Sequence, residues 1–194
     1  MSKPRLLVIT GSSGVGKSTL SARAAASLEF SKIATTDTIR ETLRTQFDAD
    51  ELPALHRSSF EPAGSGVVQD WHETVKVLSE GVAAVVRRAS MKGSDLLLEG
   101  VHVIPGAWIL DDWKATGGVA CGVVLYVADE DRHQEFIMKR ERHNNRGLAH
   151  YLGNLGRIRE IQEEMMRNGR EATWLVMDAS AEDDPVGMVE DAFE

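Results

Sequence analysis

Hydrophobic and polar positions along the chain fall into blocks whose period switches between strand and helix. Residues 5–10, "RLLVIT", form a short apolar run rich in branched side chains and stopped by Gly11, the pattern of a buried strand. Residues 17–28 are alanine-rich and helical in character. Residues 32–36, "KIATT", read as a second strand, and 37–46 as a helix with Asp37 as its cap. Pro53, Pro62, Gly64 and Gly66 make 47–66 an irregular loop, suited to a flexible segment that covers a site. From Val68, apolar residues recur at 68, 71, 75, 78, 82, 85 and 89, which predicts one long amphipathic helix. Gly81 lies inside it, at a cost of about 1 kcal/mol relative to Ala.

Further strands are expected at 95–100, 119–128 and 173–178. A charged helix is expected at 133–145, another at 148–168 with apolar positions 148, 152, 155, 158, 161 and 165, and a short last one from Pro185. Strands alternating with helices imply an α/β fold, a five-stranded parallel sheet with helices on both faces, in a single domain spanning 1–194.

Composition narrows this picture. With 194 residues, 42% of them hydrophobic, the chain can build a real core. The longest apolar run, 119–128, is too short to cross a bilayer, and the first apolar stretch soon ends in Gly and Ser, unlike a signal peptide. The single cysteine, Cys121, excludes an internal disulfide and a cysteine-based metal cluster, and a cytoplasmic setting is expected. Eight of the 30 acids, and none of the 22 Lys and Arg, follow Arg170, so residues 1–170 carry equal numbers of each sign. A broad nucleic-acid-binding face is disfavoured, a local basic pocket is not, and the acidic tail reads as a solvated surface.

The chemistry starts at "GSSGVGKST", residues 11–19, which matches G-x-x-x-x-G-K-[ST] between an expected strand and an expected helix. Gly11, Gly14 and Gly16 let the backbone turn, so that N–H groups from Ser13 to Thr19, Val15 included, cradle phosphate at a helix N-terminus. Lys17 reaches the β- and γ-phosphates of a nucleoside triphosphate, with ATP over GTP not fixed by the loop, and Ser18 offers its hydroxyl to Mg²⁺. No [NT]-K-x-D motif marks a GTPase, no LSGGQ-type signature is present, and the chain is short for a ring-forming motor. A compact kinase acting on a small acceptor remains. In this fold adenine is held near strand five, around Asp178–Ser180.

Candidate acceptor groups lie at the ends of the other strands, where open parallel sheets bind ligands. In "TTDTIRE", 35–41, Asp37 can accept the proton of an attacking hydroxyl and Arg40 can hold an anionic group of the same molecule. The alternative is an N-cap with an i,i+3 ion pair. Glu99, closing "LLLEG", can order Mg²⁺ or touch the acceptor. His56, Arg57 and Ser58 in "LHRSS" suit a carboxylate or phosphate, and His102 follows Glu99 by three residues. "KRERHNNR", 139–146, is placed as a lid at about 139–147, whose arginines, with Arg140 and Arg146 favoured, would neutralise the transferring phosphoryl group.

These segments, with "EGVHVIPG", "DEDRH" and "YLGNLGRIREIQ", resemble the 2-phosphoglycerate kinase family of P-loop kinases over most of 5–165. The resemblance implies a three-layer fold similar to that of nucleoside and shikimate kinases. It also implies transfer of the γ-phosphate of ATP to 2-phosphoglycerate, giving 2,3-bisphosphoglycerate. It assigns Lys17 and Ser18 to ATP–Mg²⁺, and Asp37, Arg40, His56, Arg57, Glu99 and His102 to the acceptor side. Longer members carry an N-terminal nucleotide-sensing extension that is expected to be lacking here. Glu135 stands before Phe136 where the family pattern has an Arg. A kinase of a nucleoside or modified DNA base, and a non-enzymatic nucleotide switch, are the competing readings.

Overall fold

Along Arg5–Thr10 (β1), Leu6 and Val8 point into one apolar cluster and Leu7 and Ile9 into another. That is the two-residue period of a strand with helices on both faces. A computed structural model describes residues 3–143, 145–181 and 184–193, those at 107, 145 and 146 by backbone alone. β1 lies at the centre of a five-stranded parallel sheet, flanked by Leu96–Glu99 (β3) and Val119–Tyr126 (β4). Ile33–Thr35 (β2) pairs with β3 at one edge and Leu175–Asp178 (β5) with β4 at the other. Among the described residues no helix is long and apolar enough to cross a membrane.

The helices are Lys17–Ser27 (α1), Thr36–Arg44 (α2), Pro53–His56 (α3), Val67–Lys76 (α4), Ser79–Met91 (α5), Ala107–Ala115 (α6), Glu130–Glu141 (α7), Asn145–Gly153 (α8), Leu155–Glu171 (α9) and Pro185–Asp191 (α10). Several differ from the sequence reading. The long helix from Val68 is two helices. The chain tightens at Val77–Leu78 into an i→i−3 turn (Leu78 N–H to Val75 O, 3.1 Å), and the Ser79 hydroxyl takes the Lys76 carbonyl at 2.8 Å. Apolar spacing survives because both pieces bury the same side. Gly81 lets α5 meet α2: a Cβ there would lie 2.9 Å from Ile39 Cγ2.

The expected helix at 148–168 is likewise divided at Asn154, whose side-chain amide donates to the His150 carbonyl at 2.9 Å. α7 starts at Glu130, three residues earlier than expected, because the Asp129 carboxylate accepts from Arg132 N–H at 2.8 Å. α6 is absent from the sequence reading. It buries Ile109, Leu110 and Trp113, a helical face too short to stand out between Gly106 and Gly117. The acidic tail is not simply solvated: α10 buries Val186 and Val189, and Phe193 packs on Phe30.

Segment 47–66 is fastened at its far end. Asp70 of α4, 1% exposed, accepts from the backbone N–H groups of Ala63 and Ser65 and from Arg157 of α9 at 2.7 Å. Arg157 also donates to the Phe60 carbonyl. The Ala63 N–H above all, with Arg157 and Ser65, lowers the Asp70 carboxyl from its ordinary 3.8 to about 2. A carboxyl that is more acidic when folded stabilises above about pH 4, and this contribution fades as pH falls toward 2. Asp70→Ala takes the carboxylate partner from Arg157, which keeps its bond to the Phe60 carbonyl, and leaves two N–H groups unpaired, and a loss of about 3 kcal/mol is expected in urea unfolding at pH 7. The variant's deficit should shrink as the pH falls from 4 to 2; a deficit unchanged over that range would contradict the assignment.

Candidate active site

Glu99 closes β3 level with Ile9 of β1 and Thr35 of β2, so the sheet register brings the phosphate loop, Glu99 and the start of α2 to one edge. The loop 11–19 bends where only glycine fits. Gly14 has φ +85°, and a Cβ on it would lie 2.5 Å from Ile137 Cγ1 of α7. No side chain caps α1, so its first N–H groups remain available to an anion. The Lys17 ammonium donates to the Ser12 carbonyl at 2.8 Å. Burial pushes its pKa down to about 8, against the pull of Glu99 and Asp37.

The Ser18 hydroxyl donates to Glu99 Oε1 at 3.3 Å. Glu99 is 9% exposed, and its other oxygen has no hydrogen-bond partner among the described residues. Burial raises its pKa, while Lys17 and Ser18 lower it. An unsatisfied buried carboxylate oxygen beside a hydroxyl at the head of α1 is a donor set that fits Mg²⁺, directly or through water.

α2 is capped by Thr35, whose hydroxyl accepts from Thr38 N–H at 3.0 Å, and not by Asp37. Asp37 sits in the first turn with its side chain 67% exposed, 3.9 Å from Arg40 and 3.9 Å from His102 Nδ1. Among the described residues Arg40 is thus its one charged partner within ion-pair distance, and the His102 ring its polar neighbour. Arg40 is largely buried, and its Nε, 3.6 Å from Glu41 Oε1, has no hydrogen-bond partner among the described residues. His102 is buried against Thr36, Nδ1 to Oγ1 3.0 Å, and burial pushes its pKa down to about 3, so it is neutral at pH 7. Gly100 makes that seam possible, since a Cβ on it would fall 1.9 Å from Thr36 Oγ1.

One cavity of about 690 Å³ runs along the carboxyl edge of the sheet. Of the residues expected at a site, Ser13, Gly14, Val15, Gly16, Lys17, Ser18, Thr19, Asp37, Arg40, Ser58, Glu99 and Arg140 line it. Gly11 lies beneath the loop against the Leu125 carbonyl. His56 and Arg57 are engaged elsewhere: His56 Nε2 with the Phe47 carbonyl at 2.9 Å, Arg57 with the Asp70 carbonyl at 2.7 Å and Glu73 at 2.8 Å. The side chain of Arg146 lies outside the described residues. Arg140 rests over the Tyr151 ring, 5.1 Å from its centroid.

The cavity also takes in residues that sequence reasoning did not single out. Tyr151, Ser59 and Phe60 line it, with the Phe60 and Tyr151 rings tilted at 52° and their centroids 5.2 Å apart. Arg23 and Phe136 line it too, and Ala179 and Pro185 do so beyond β5, near the stretch expected to hold adenine. Lys139 had a signal in its place in the basic cluster, and Ser59 in being the second hydroxyl of "LHRSS". Lys17, Arg23, Arg40, Lys139 and Arg140 line the cavity together with Asp37 and Glu99, an excess of positive charge in a chain of net charge −8. Such a pocket gathers anions.

Strand order, phosphate loop and cavity define a P-loop protein of the small-kinase fold. A gluconokinase structure from Sinorhizobium meliloti shares that fold, with a TM-score of 0.52 and 18% identity over 100% of this chain and 91% of the other. By sequence the chain is a relative of the 2-phosphoglycerate kinases. It is 30% identical to the one from Pyrococcus furiosus over 176 residues, 87% of this chain and 57% of the relative. It is 33% identical to that of Thermococcus kodakarensis over 178 residues, 87% of this chain and 59% of the relative. The chain thus spans less than two thirds of the length of these curated relatives. No protein-family model matches it.

Proposed function

We propose that the chain is an ATP- and Mg²⁺-dependent kinase that phosphorylates a hydroxyl of a small anionic acceptor, and that the acceptor is 2-phosphoglycerate. The observation that carries the reading is one cavity holding the phosphate loop with Lys17 and the Asp37–Arg40 pair. β1 and β2 are two strand spacings apart, about 10 Å, room for a small acceptor between the γ-phosphate and α2. The choice of 2-phosphoglycerate rests on the relatives' name and on the cationic lining.

Each residue then has a task. Loop N–H groups and Lys17 hold the β- and γ-phosphates. Ser18 and Glu99 would hold Mg²⁺, which supplies charge neutralisation on the phosphates when bound. Arg40 and Ser58 hold the acceptor's anionic groups. The acceptor oxygen bonds to the γ-phosphorus as the bond to the β–γ bridging oxygen breaks, ADP leaves, and the hydroxyl proton passes to the Asp37 carboxylate. Arg140, swung off Tyr151, neutralises charge on the phosphoryl group in flight.

ADP release with ATP–Mg²⁺ should be measured across 2-phosphoglycerate, 3-phosphoglycerate, glycerate, shikimate, nucleosides and hydroxymethylated DNA. Stimulation by 2-phosphoglycerate of at least about a hundredfold over basal hydrolysis is expected. Stimulation by a different acceptor would retain the kinase and discard this substrate. Slow hydrolysis that no acceptor stimulates would favour a nucleotide switch.

A further inference from the structure

α7 is more than a carrier of lid arginines. His133, in its first half, is fully buried, and its Nε2 lies 2.8 Å from the carbonyl oxygen of Ser13 in the phosphate loop. A carbonyl can only accept, so Nε2 carries the proton and Nδ1 does not. Burial lowers the pKa of the ring, which favours this neutral form. One turn on, Ile137 presses on Gly14 so closely that a Cβ there would lie 2.5 Å from it. Residues 133, 137 and 140 fall on one face of a helix, and Arg140 reaches the cavity from it.

The planar trans peptide turns this contact into a constraint on the cradle. Carbonyl and N–H of one peptide point in opposite directions. Pinning the Ser13 oxygen to α7 therefore aims the Gly14 N–H away from α7. The preceding carbonyl, Ser12, is engaged in turn by Lys17.

We propose that His133 is a positioning residue: it holds the Ser13–Gly14 peptide with its N–H turned to the phosphates, and keys the Arg140-bearing helix to that loop. The inference rests on the nucleotide reading above but not on the acceptor. Without the donor, the peptide is free to rotate and present its carbonyl to the anion.

The test is calorimetric titration of ADP and AMP into the wild type and the His133→Gln, His133→Leu and His133→Met variants, since AMP lacks the β-phosphate the loop holds. The Leu and Met variants are expected to lose about tenfold in ADP affinity relative to AMP, the worth of one ordinary hydrogen bond. Gln, whose amide reaches as far as Nε2, should restore the ratio to within about twofold. A Gln variant as weak as Leu, or a Leu variant with the wild-type ratio, would overturn the role. If the apolar variants do not fold, His133→Asn replaces them; its shorter amide should fail where Gln succeeds, and equal behaviour overturns the proposal. A wild type that binds ADP no better than AMP would remove the nucleotide reading and this inference with it.

Discussion

Lys17→Ala is expected to lower kcat/KM for ATP by roughly a thousandfold while leaving the chain folded. The ammonium rests on the Ser12 carbonyl, inside the loop that would receive the β- and γ-phosphates, and no other described cation belongs to that loop. Its removal should not weaken the fold. Lys17 has its pKa lowered from 10.5 to about 8, so the charged form is less favourable in the folded chain than in the unfolded one. That penalty is present below pH 8 and fades between 8 and 10.5, and Ala removes it. Thermal unfolding of Lys17→Ala at pH 7 should therefore match or exceed the wild type. The same value sets a pH limb. kcat/KM for ATP, which reports the free enzyme, should not vary with the protonation of Lys17 below about pH 8, where the ammonium is charged, and should fall tenfold per unit above it. An unbroken plateau to pH 10 would show that the charge of Lys17 is not required.

What could be read from the chain, and what could not, divides by sequence distance. The phosphate loop was legible because its glycines, Lys17 and Ser18 lie within nine residues and act through their own backbone. β1 was legible because an apolar run ended by Gly11 has few other readings. Glu99 could be placed at a strand end, but its unsatisfied oxygen follows from the register with β1 and β2. Arg57 in "LHRSS" carries the chemistry of an anion site, yet α4 presents it with Glu73 and the Asp70 carbonyl. Nothing local announces a partner 16 residues on. His133 is the extreme case: its partner, Ser13, is 120 residues away and adjacent only because β4 pairs with β1. The split of the helix from Val68 was invisible for another reason. A single tight turn at Val77–Leu78 leaves every apolar residue on the side where the period puts it.

Asp37→Asn should separate binding from chemistry. The side chain is isosteric, 67% exposed and, among the described residues, held only by a 3.9 Å ion pair to Arg40 and a 3.9 Å approach to the neutral His102 ring, so neither α2, capped by Thr35, nor the cavity depends on its charge for shape. ATP affinity is expected to stay within about twofold, because the phosphate loop lies two strands away. Phosphoryl transfer measured in a single turnover is expected to fall by about 10²–10⁴, the usual worth of a positioned base. Arg40→Ala supplies the contrast. It leaves the base and removes the guanidinium beside it, so the acceptor's KM should rise by roughly tenfold or more with a smaller change in kcat. If the two variants showed the same pattern, Asp37 and Arg40 would be one ion pair serving the first turn of α2. If they split as described, the exposure of Asp37 has a functional cause. A carboxylate whose task is to take a proton from a transient ligand has to be left without a fixed hydrogen-bond donor until that ligand arrives.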